Sequence, residues 1–270
     1  MTHAPMPPHD TLFSVADQTV FVVGASRGIG RAIAAGFASR SARVVIAGRD
    51  ESTITATATE LSVGARHEVE GVVCDTAERA RVIEVVDDLV ERHGGIDTLV
   101  QVAGVNRRKP TLEITAEDYE TVVGINLDGA FTMAQAVGRH MVRRGSGNQI
   151  HVTSLNAIRP LLNVVPYAMS KAGLERMVQA LALEWGPHGV RVNGIAPGFI
   201  LTDLTEKLWS DPNMQSWGRT NTPQGRLGRP EDMVGAAIFL ASQASAFMTG
   251  QSVVVDGGFT AGWSWPIPPG

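Results

Sequence analysis

Seven stretches that are apolar on both faces recur along this 270-residue chain, and the first five lead into a segment of helical character. Residues 18–24, 43–47, 68–74, 97–102, 148–153, 190–195 and 252–256 read as strands. Residues 28–39, 52–61, 78–93, 116–144 and 167–185 read as helices between them. A strand that is apolar on both sides cannot keep one face in water. A chain that alternates such strands with helices therefore forms a parallel sheet covered on both faces. No Pro/Gly/Ser-rich linker and no shift of composition breaks the series. The expected architecture is α/β: one domain over residues 12–270, built on a doubly wound, seven-stranded parallel sheet. Residues 1–11 read as a proline-rich, disordered lead-in. Residues 202–228, between the sixth and seventh strands, read as a mobile insert that closes over the site as a lid.

Composition narrows the function by exclusion. The net charge is −4 and the pI about 6.0, without the basic field that a nucleic-acid surface needs. The single cysteine, Cys74, lies in an apolar run and reads as a core thiol, so no disulfide framework is available. There is no run of His, Asp or Glu at metal-ligand spacing and no metal is expected. No apolar run is long enough to span a membrane, and the lead-in lacks the apolar core of a signal peptide. The expectation is a cytoplasmic protein whose partner is a small molecule.

Two local patterns carry chemistry. Gly24-x-x-x-Gly28-x-Gly30 follows the first strand and opens the first helix. Glycines there let the backbone turn tightly and approach a pyrophosphate, which then sits on the helix N-terminus. Ser26, Arg27 and Ile29 belong to the same turn. At the end of the second strand a carboxylate would accept the adenosine ribose hydroxyls, but this chain has Gly48 and then Arg49. Two guanidiniums, Arg27 and Arg49, suit a 2′-phosphate and favour NADP(H). Asp50 keeps NAD(H) open if the loop turns it inward. The second pattern is Tyr167-x-x-x-Lys171. The chain has only two tyrosines and three lysines, and scattering them at random would give this spacing about 2% of the time. Residues i and i+4 share a helix face. A phenol beside an ammonium has its ionised form favoured, which makes a proton donor and acceptor for alcohol–ketone chemistry.

These patterns and several others, in order, resemble the short-chain dehydrogenase/reductase family over about residues 12–258. The resemblance implies a Rossmann fold and an NAD(P)-dependent oxidoreductase. Gly24, Gly28 and Gly30 are similar to the family's cofactor turn. Asp75 matches the acid that contacts adenine. Ala103 and Gly104 match the end of the Asn-Asn-Ala-Gly motif. Pro197, Gly198, Ile200 and Thr202 resemble the stretch on the nicotinamide side. Asn126, Ser154, Tyr167 and Lys171 match the family's catalytic residues. The resemblance assigns the proton transfer to Tyr167 and the substrate oxygen to Ser154. It assigns the nicotinamide ribose and a lowered tyrosine pKa to Lys171. Asn126 would position a water linking Lys171 to solvent. Val23 and Gln101-Val102 depart from the family by replacing a threonine and the paired asparagines, which puts local rigidity in question. The resemblance also suggests a homotetramer.

For the substrate, the cationic stretch Arg107, Arg108, Lys109 follows strand four, where a carboxylate could be received, with Arg107 the candidate. That stretch, with Thr222, Pro223, Gly225, Arg226, Pro230 and Asp232, resembles the branch containing gluconate 5-dehydrogenase and related sugar-acid or polyol dehydrogenases. Asn156 could face a substrate hydroxyl, and Trp209 and Trp217 lie in the insert. Trp263 and Trp265 in the tail are expected to pack on a neighbouring subunit. Two alternatives stay open: a reductase for cyclic or hydrophobic ketones, with the apolar stretch 161–165 lining its pocket, and a dinucleotide-binding protein without turnover.

Overall fold

The computed structural model describes residues 9–262. Residues 1–8 of the lead-in, and the tail tryptophans Trp263 and Trp265, lie outside the described residues. The chain is helical at α1 (His9–Leu12), which overlaps the span that reads in sequence as a disordered lead-in.

β1 (Thr19–Val23) has no side chain more than a few per cent exposed, and its alternation explains the layering. Val20 and Val22 pack into one core cluster. Phe21 and Val23 pack into another on the opposite face. β2 (Arg43–Gly48) repeats the division, with Val44 and Ile46 in the first cluster and Val45 and Ala47 in the second. The first cluster is closed by α2 (Gly28–Ala38) and α10 (Val234–Ala241). The second is closed by α4 (Arg79–His93), α6 (Gly129–Arg144) and α7 (Val165–Trp185). The strand period of two thus feeds two cores, one on each face of one sheet.

The remaining strands are β3 (Glu70–Val73), β4 (Thr98–Gln101), β5 (Gly147–Val152), β6 (Val190–Pro197) and β7 (Ser252–Val255). All pairings are parallel, in the order β3-β2-β1-β4-β5-β6-β7. This is the expected doubly wound Rossmann-type sheet. β3 is shorter than residues 68–74 and half exposed on alternate residues, as its edge position requires. The order reverses between β1 and β4, and a crevice opens beyond the carboxyl ends of the strands at such a switch point.

Three local features position that crevice. Asp50 caps α3 (Glu51–Ser62), accepting Thr53 N at 2.8 Å. The expected helix over 116–144 is divided into α5 (Ala116–Val123) and α6 by a π-helical turn at residues 124–128, which carries Asn126. A π turn inserts one residue and redirects the side chains beside it. The insert between β6 and β7 contains α8 (Glu206–Trp209) and α9 (Pro212–Asn221). Among the described residues, no helix is long and apolar enough to cross a membrane.

Candidate active site

The ends of six strands border one cleft. Gly24 comes from β1, Gly48 and Arg49 from β2, and Cys74 and Asp75 from β3. Ala103 and Gly104 come from β4, Ser154 from β5 and Gly198 from β6. Ser26, Arg27, Gly28, Ile29, Gly30, Pro197, Ile200, Thr202, Tyr167 and Lys171 also line it. Every residue expected to hold the cofactor therefore faces the same space.

The glycine turn fits a dinucleotide. Gly24 has φ +82° and Gly28 φ +54°, a region that favours glycine. A Cβ on Gly24 would lie 2.6 Å from Ala103 N, and one on Gly30 would collide with the Gly24 carbonyl. The N-terminus of α2 has no side-chain cap and no acid in its first turn, so its free N–H groups are left for an anion. At the departures Val23 and Gln101-Val102 the two strands stay joined through the backbone, while the Gln101 side-chain amide is buried without a hydrogen-bond partner among the described residues. The amides of Val102 and Ala103 donate to the Val23 carbonyl at 2.9 and 3.1 Å, and Val23 is buried. Arg27 pairs with Asp203 across the mouth at 3.7 Å, both side chains being largely exposed. Asp50 does not line the cleft. Its Oδ1 is engaged by Ser52 and by both Thr53 donors, which lower its pKa to about 2.

The candidate catalytic residues converge at the end of β5. Lys171 is 3% exposed, and its Nζ donates to the Val152 carbonyl at 2.8 Å. Burial lowers its pKa to about 8. Gly104 borders the same space: a Cβ there would lie 3.2 Å from Asn126 Oδ1, a tight approach, and 3.5 Å from Nζ. The Lys171 Nζ stands 5.9 Å from the Tyr167 ring centroid. Asn126, fully buried, stands behind the cleft wall and ties the wall to α7. Its Oδ1 accepts Val105 N at 2.8 Å, and its Nδ2 donates to Val105 O at 2.9 Å and to Ser170 Oγ at 3.1 Å.

Burial raises the Tyr167 pKa, opposed by Ser154 and by the charge of Arg108. Burial and the Lys171 charge together push His151 down to about 3. His151 is therefore neutral.

The loop after β4 needs correcting. Asp118 takes Lys109 at 2.6 Å and Arg107 at 3.7 Å, so Arg107 is turned toward α5 and does not line the cleft. Arg108 has no acidic partner among the described residues. It keeps an exposed flank, yet burial of its guanidinium lowers its pKa while the field of Tyr167 opposes this. Sequence spacing gave no means of separating these three adjacent cations; the signal was Asp118, inside a Thr115-x-x-Asp118 capping box.

Two further expectations change. Trp209 is 3% exposed and packs with Leu155, Phe199, Leu227 and Phe259. Its ring lies edge-on to Phe199, with centroids 5.4 Å apart. It supports the cleft from behind and does not line it. Asn156 does not line the cleft either. Its Oδ1 accepts Leu161 N at 3.0 Å and its Nδ2 faces Ser154 Oγ at 3.4 Å.

Known proteins resemble the chain over most of its length. A family profile described as enoyl-(acyl carrier protein) reductase matches residues 24–260. Gluconate 5-dehydrogenase of Gluconobacter oxydans is 37% identical over 257 residues, covering 93% of this chain and 98% of its own. D-threitol dehydrogenase of Mycolicibacterium smegmatis is 38% identical, covering 96% and 99%. The crystal structure of a gluconate 5-dehydrogenase from Burkholderia cenocepacia, in complex with NADP and tartrate, superposes with a TM-score of 0.90 at 36% identity, covering 93% and 98%.

Proposed function

Since the chain belongs to the short-chain dehydrogenase/reductase family and is an NAD(P)-dependent oxidoreductase, we propose that it interconverts a secondary alcohol and a ketone on a sugar acid or polyol. The observation that carries this reading is the convergence of Tyr167, Ser154 and Lys171 in the cleft that the glycine turn opens. The bound nicotinamide supplies or accepts the hydride. Tyr167 exchanges the proton at its phenol oxygen, taking it from the alcohol in oxidation and giving it to the carbonyl oxygen in reduction. Ser154 holds the substrate oxygen beside Tyr167. Lys171, within reach of the ribose side of the cleft, supplies an amine that can gain and lose a proton near pH 8. Asn126 keeps the 105 loop against α7. Residues 202–228 act as the lid, with Trp209 in its foundation.

NADP(H) is the favoured cofactor. Arg27 and Arg49 border the cleft, and the acid that could have served NAD(H), Asp50, is committed to capping α3. The NADP in the Burkholderia relative supports the same choice. For the substrate, Arg108 is the cation whose field reaches Tyr167, so an anionic group close to the reacting carbon finds a counter-charge there. The reading for hydrophobic ketones loses its support, because Leu162 and Val165 are exposed and the 161–165 stretch does not line the cleft. Exposed Phe131 on α6 and Met169 and Leu183 on α7, with Phe247 and Val254 near β7, suit burial between subunits of a homotetramer.

Tyr167→Phe tests the mechanism. It removes the proton donor with almost no change in volume. Turnover should fall at least about a hundred-fold while NADPH binding is retained; wild-type turnover would sink the mechanism, and retained binding without turnover in the parent enzyme would favour the non-catalytic reading.

A further inference from the structure

Ser154 lies two residues past β5 and caps the single turn at residues 155–157, and that cap uses up its acceptor capacity. Its Oγ accepts the Asn156 backbone N–H at 3.1 Å and the Asn156 Nδ2 at 3.4 Å. The amide cannot be turned round. Leu161 N, 3.0 Å from Oδ1, is a backbone N–H that can only donate, so the oxygen faces Leu161 and the nitrogen faces Ser154. A hydroxyl has two lone pairs and one proton. With both lone pairs occupied by Asn156, Ser154 has only its proton left to offer. Tyr167 lines the same cleft as Ser154, and Ser154 is among the groups that oppose the rise of its pKa.

We propose that Asn156 is a positioning residue that leaves the Ser154 hydroxyl only a donor, its proton directed into the cleft toward the Tyr167 phenol oxygen and the substrate oxygen beside it, favouring the phenolate that takes the alcohol's proton. The inference rests on the reading of Tyr167 as the acid–base. It gives Asn156 a role distinct from contact with substrate, since Asn156 stands behind Ser154, outside the cleft lining. The same side chain joins the site to the loop ahead of α7 through Leu161, so one amide holds the catalytic hydroxyl and the approach to Tyr167 in register.

Asn156→Asp is the informative change. A carboxylate still accepts Leu161 N–H, so the loop tie survives. It cannot donate to Ser154; it accepts instead, and the Ser154 proton turns away from Tyr167. Asn156→Ala removes both side-chain contacts and frees one Ser154 lone pair, the backbone N–H still occupying the other. Two readouts apply. The first is the pH profile of kcat/KM for NADP-dependent oxidation of D-gluconate and of D-threitol. The acid limb, where Tyr167 loses its proton, should move up by about one pH unit in Asn156→Asp and by less in Asn156→Ala. KM at the optimum should stay within about two-fold. The second needs no substrate. The chain has only two tyrosines, so in a Tyr119→Phe background ultraviolet absorbance reports Tyr167 alone. Its phenolate fraction around pH 10 should fall in both variants.

A double-mutant cycle separates this role from others. Adding Asn156→Ala to Ser154→Ala should leave both readouts where Ser154→Ala puts them. The proposal is overturned if the acid limb and the phenolate fraction are unmoved in Asn156→Asp. It is equally overturned if KM rises while the limb stays, or if the Asn156 and Ser154 effects add. Failure of the Tyr167 reading would look different: Tyr167→Phe would keep its turnover and its acid limb whatever Asn156 does.

Discussion

Replacing Lys171 by methionine should make the protein more stable and inactive. Burial lowers the lysine pKa from 10.5 to about 8. Each pKa unit corresponds to about 1.4 kcal/mol, so below pH 8 the folded state bears roughly 3 kcal/mol for keeping the charged amine out of water. Methionine removes that cost and also removes the donor to the Val152 carbonyl, a loss of about 1 kcal/mol. The net gain at neutral pH is about 2 kcal/mol, or roughly 4–8 °C in Tm for a chain of this length. The pH dependence is the sharper part. Between pH 8 and 10.5 the unfolded chain binds more protons at this site than the folded one, so the stability of the parent rises through that window. By about pH 9.5 some 2 kcal/mol of the penalty has been lifted, and the advantage of the variant should be nearly gone. Thermal melts of parent and Lys171→Met without cofactor, near pH 7 and near pH 9.5, read both points. A variant that melts below the parent at pH 7, or a gap that fails to narrow at high pH, would refute the assignment of a desolvated, charged lysine.

Arg49→Ala should weaken NADPH about ten-fold or more and NADH less than about two-fold, since a guanidinium at the end of β2 serves only the phosphorylated ribose; equal weakening in a direct binding titration would remove the basis for preferring NADP(H). Gly30→Ala should abolish binding of both cofactors, because the new Cβ collides with the Gly24 carbonyl at the turn itself; retained binding in the same titration would mean that the turn is not the cradle.

Most of the sheet was legible in the sequence because burial on both faces leaves a plain mark. Val20 to Val23 show no polar residue in either register, and only a strand covered twice tolerates that. The glycine turn was legible for a related reason: the close approach of Gly24 to Ala103 and the positive φ of Gly28 leave glycine as the residue that fits. The π-helical turn at Asn126 was not legible. It inserts one residue into a helix whose apolar periodicity continues on both sides, and no side chain announces it. Trp209 misled because a tryptophan in an insert near a site fits equally well as a lid contact or as the floor beneath it. Its place among Phe199, Leu227 and Phe259 depends on partners from other segments. Asp50 was ambiguous in sequence for want of one fact, the exact start of α3, which turns its carboxylate into a cap.

The loop after β4 was the least legible part and now carries a strong consequence. Three consecutive cations differ only in what faces them, and Asp118 removes Arg107 and Lys109 by pairing with both. Arg108 is left to act on Tyr167. The tuning of the phenol is thereby split between two sources that respond differently to salt. The Ser154 hydroxyl acts at short range and unscreened. The Arg108 charge acts through space from a side chain with a solvent-exposed flank, so added salt weakens it. In Arg108→Gln the acid limb of alcohol oxidation should move up, because a charge that lowers the Tyr167 pKa has been removed. The limb should then no longer respond to salt, whereas in the parent raising the ionic strength from about 0.01 M to about 1 M should move it toward the position seen in the variant. KM for a carboxylate-bearing substrate such as gluconate should rise about ten-fold, with threitol changed less than about two-fold. Arg107→Gln, which removes a cation already held by Asp118, should reproduce none of this. An acid limb that shifts with salt equally in Arg108→Gln and in the parent would place the responsible charge elsewhere, and Arg107→Gln with the larger effect would restore the residue that sequence spacing first singled out.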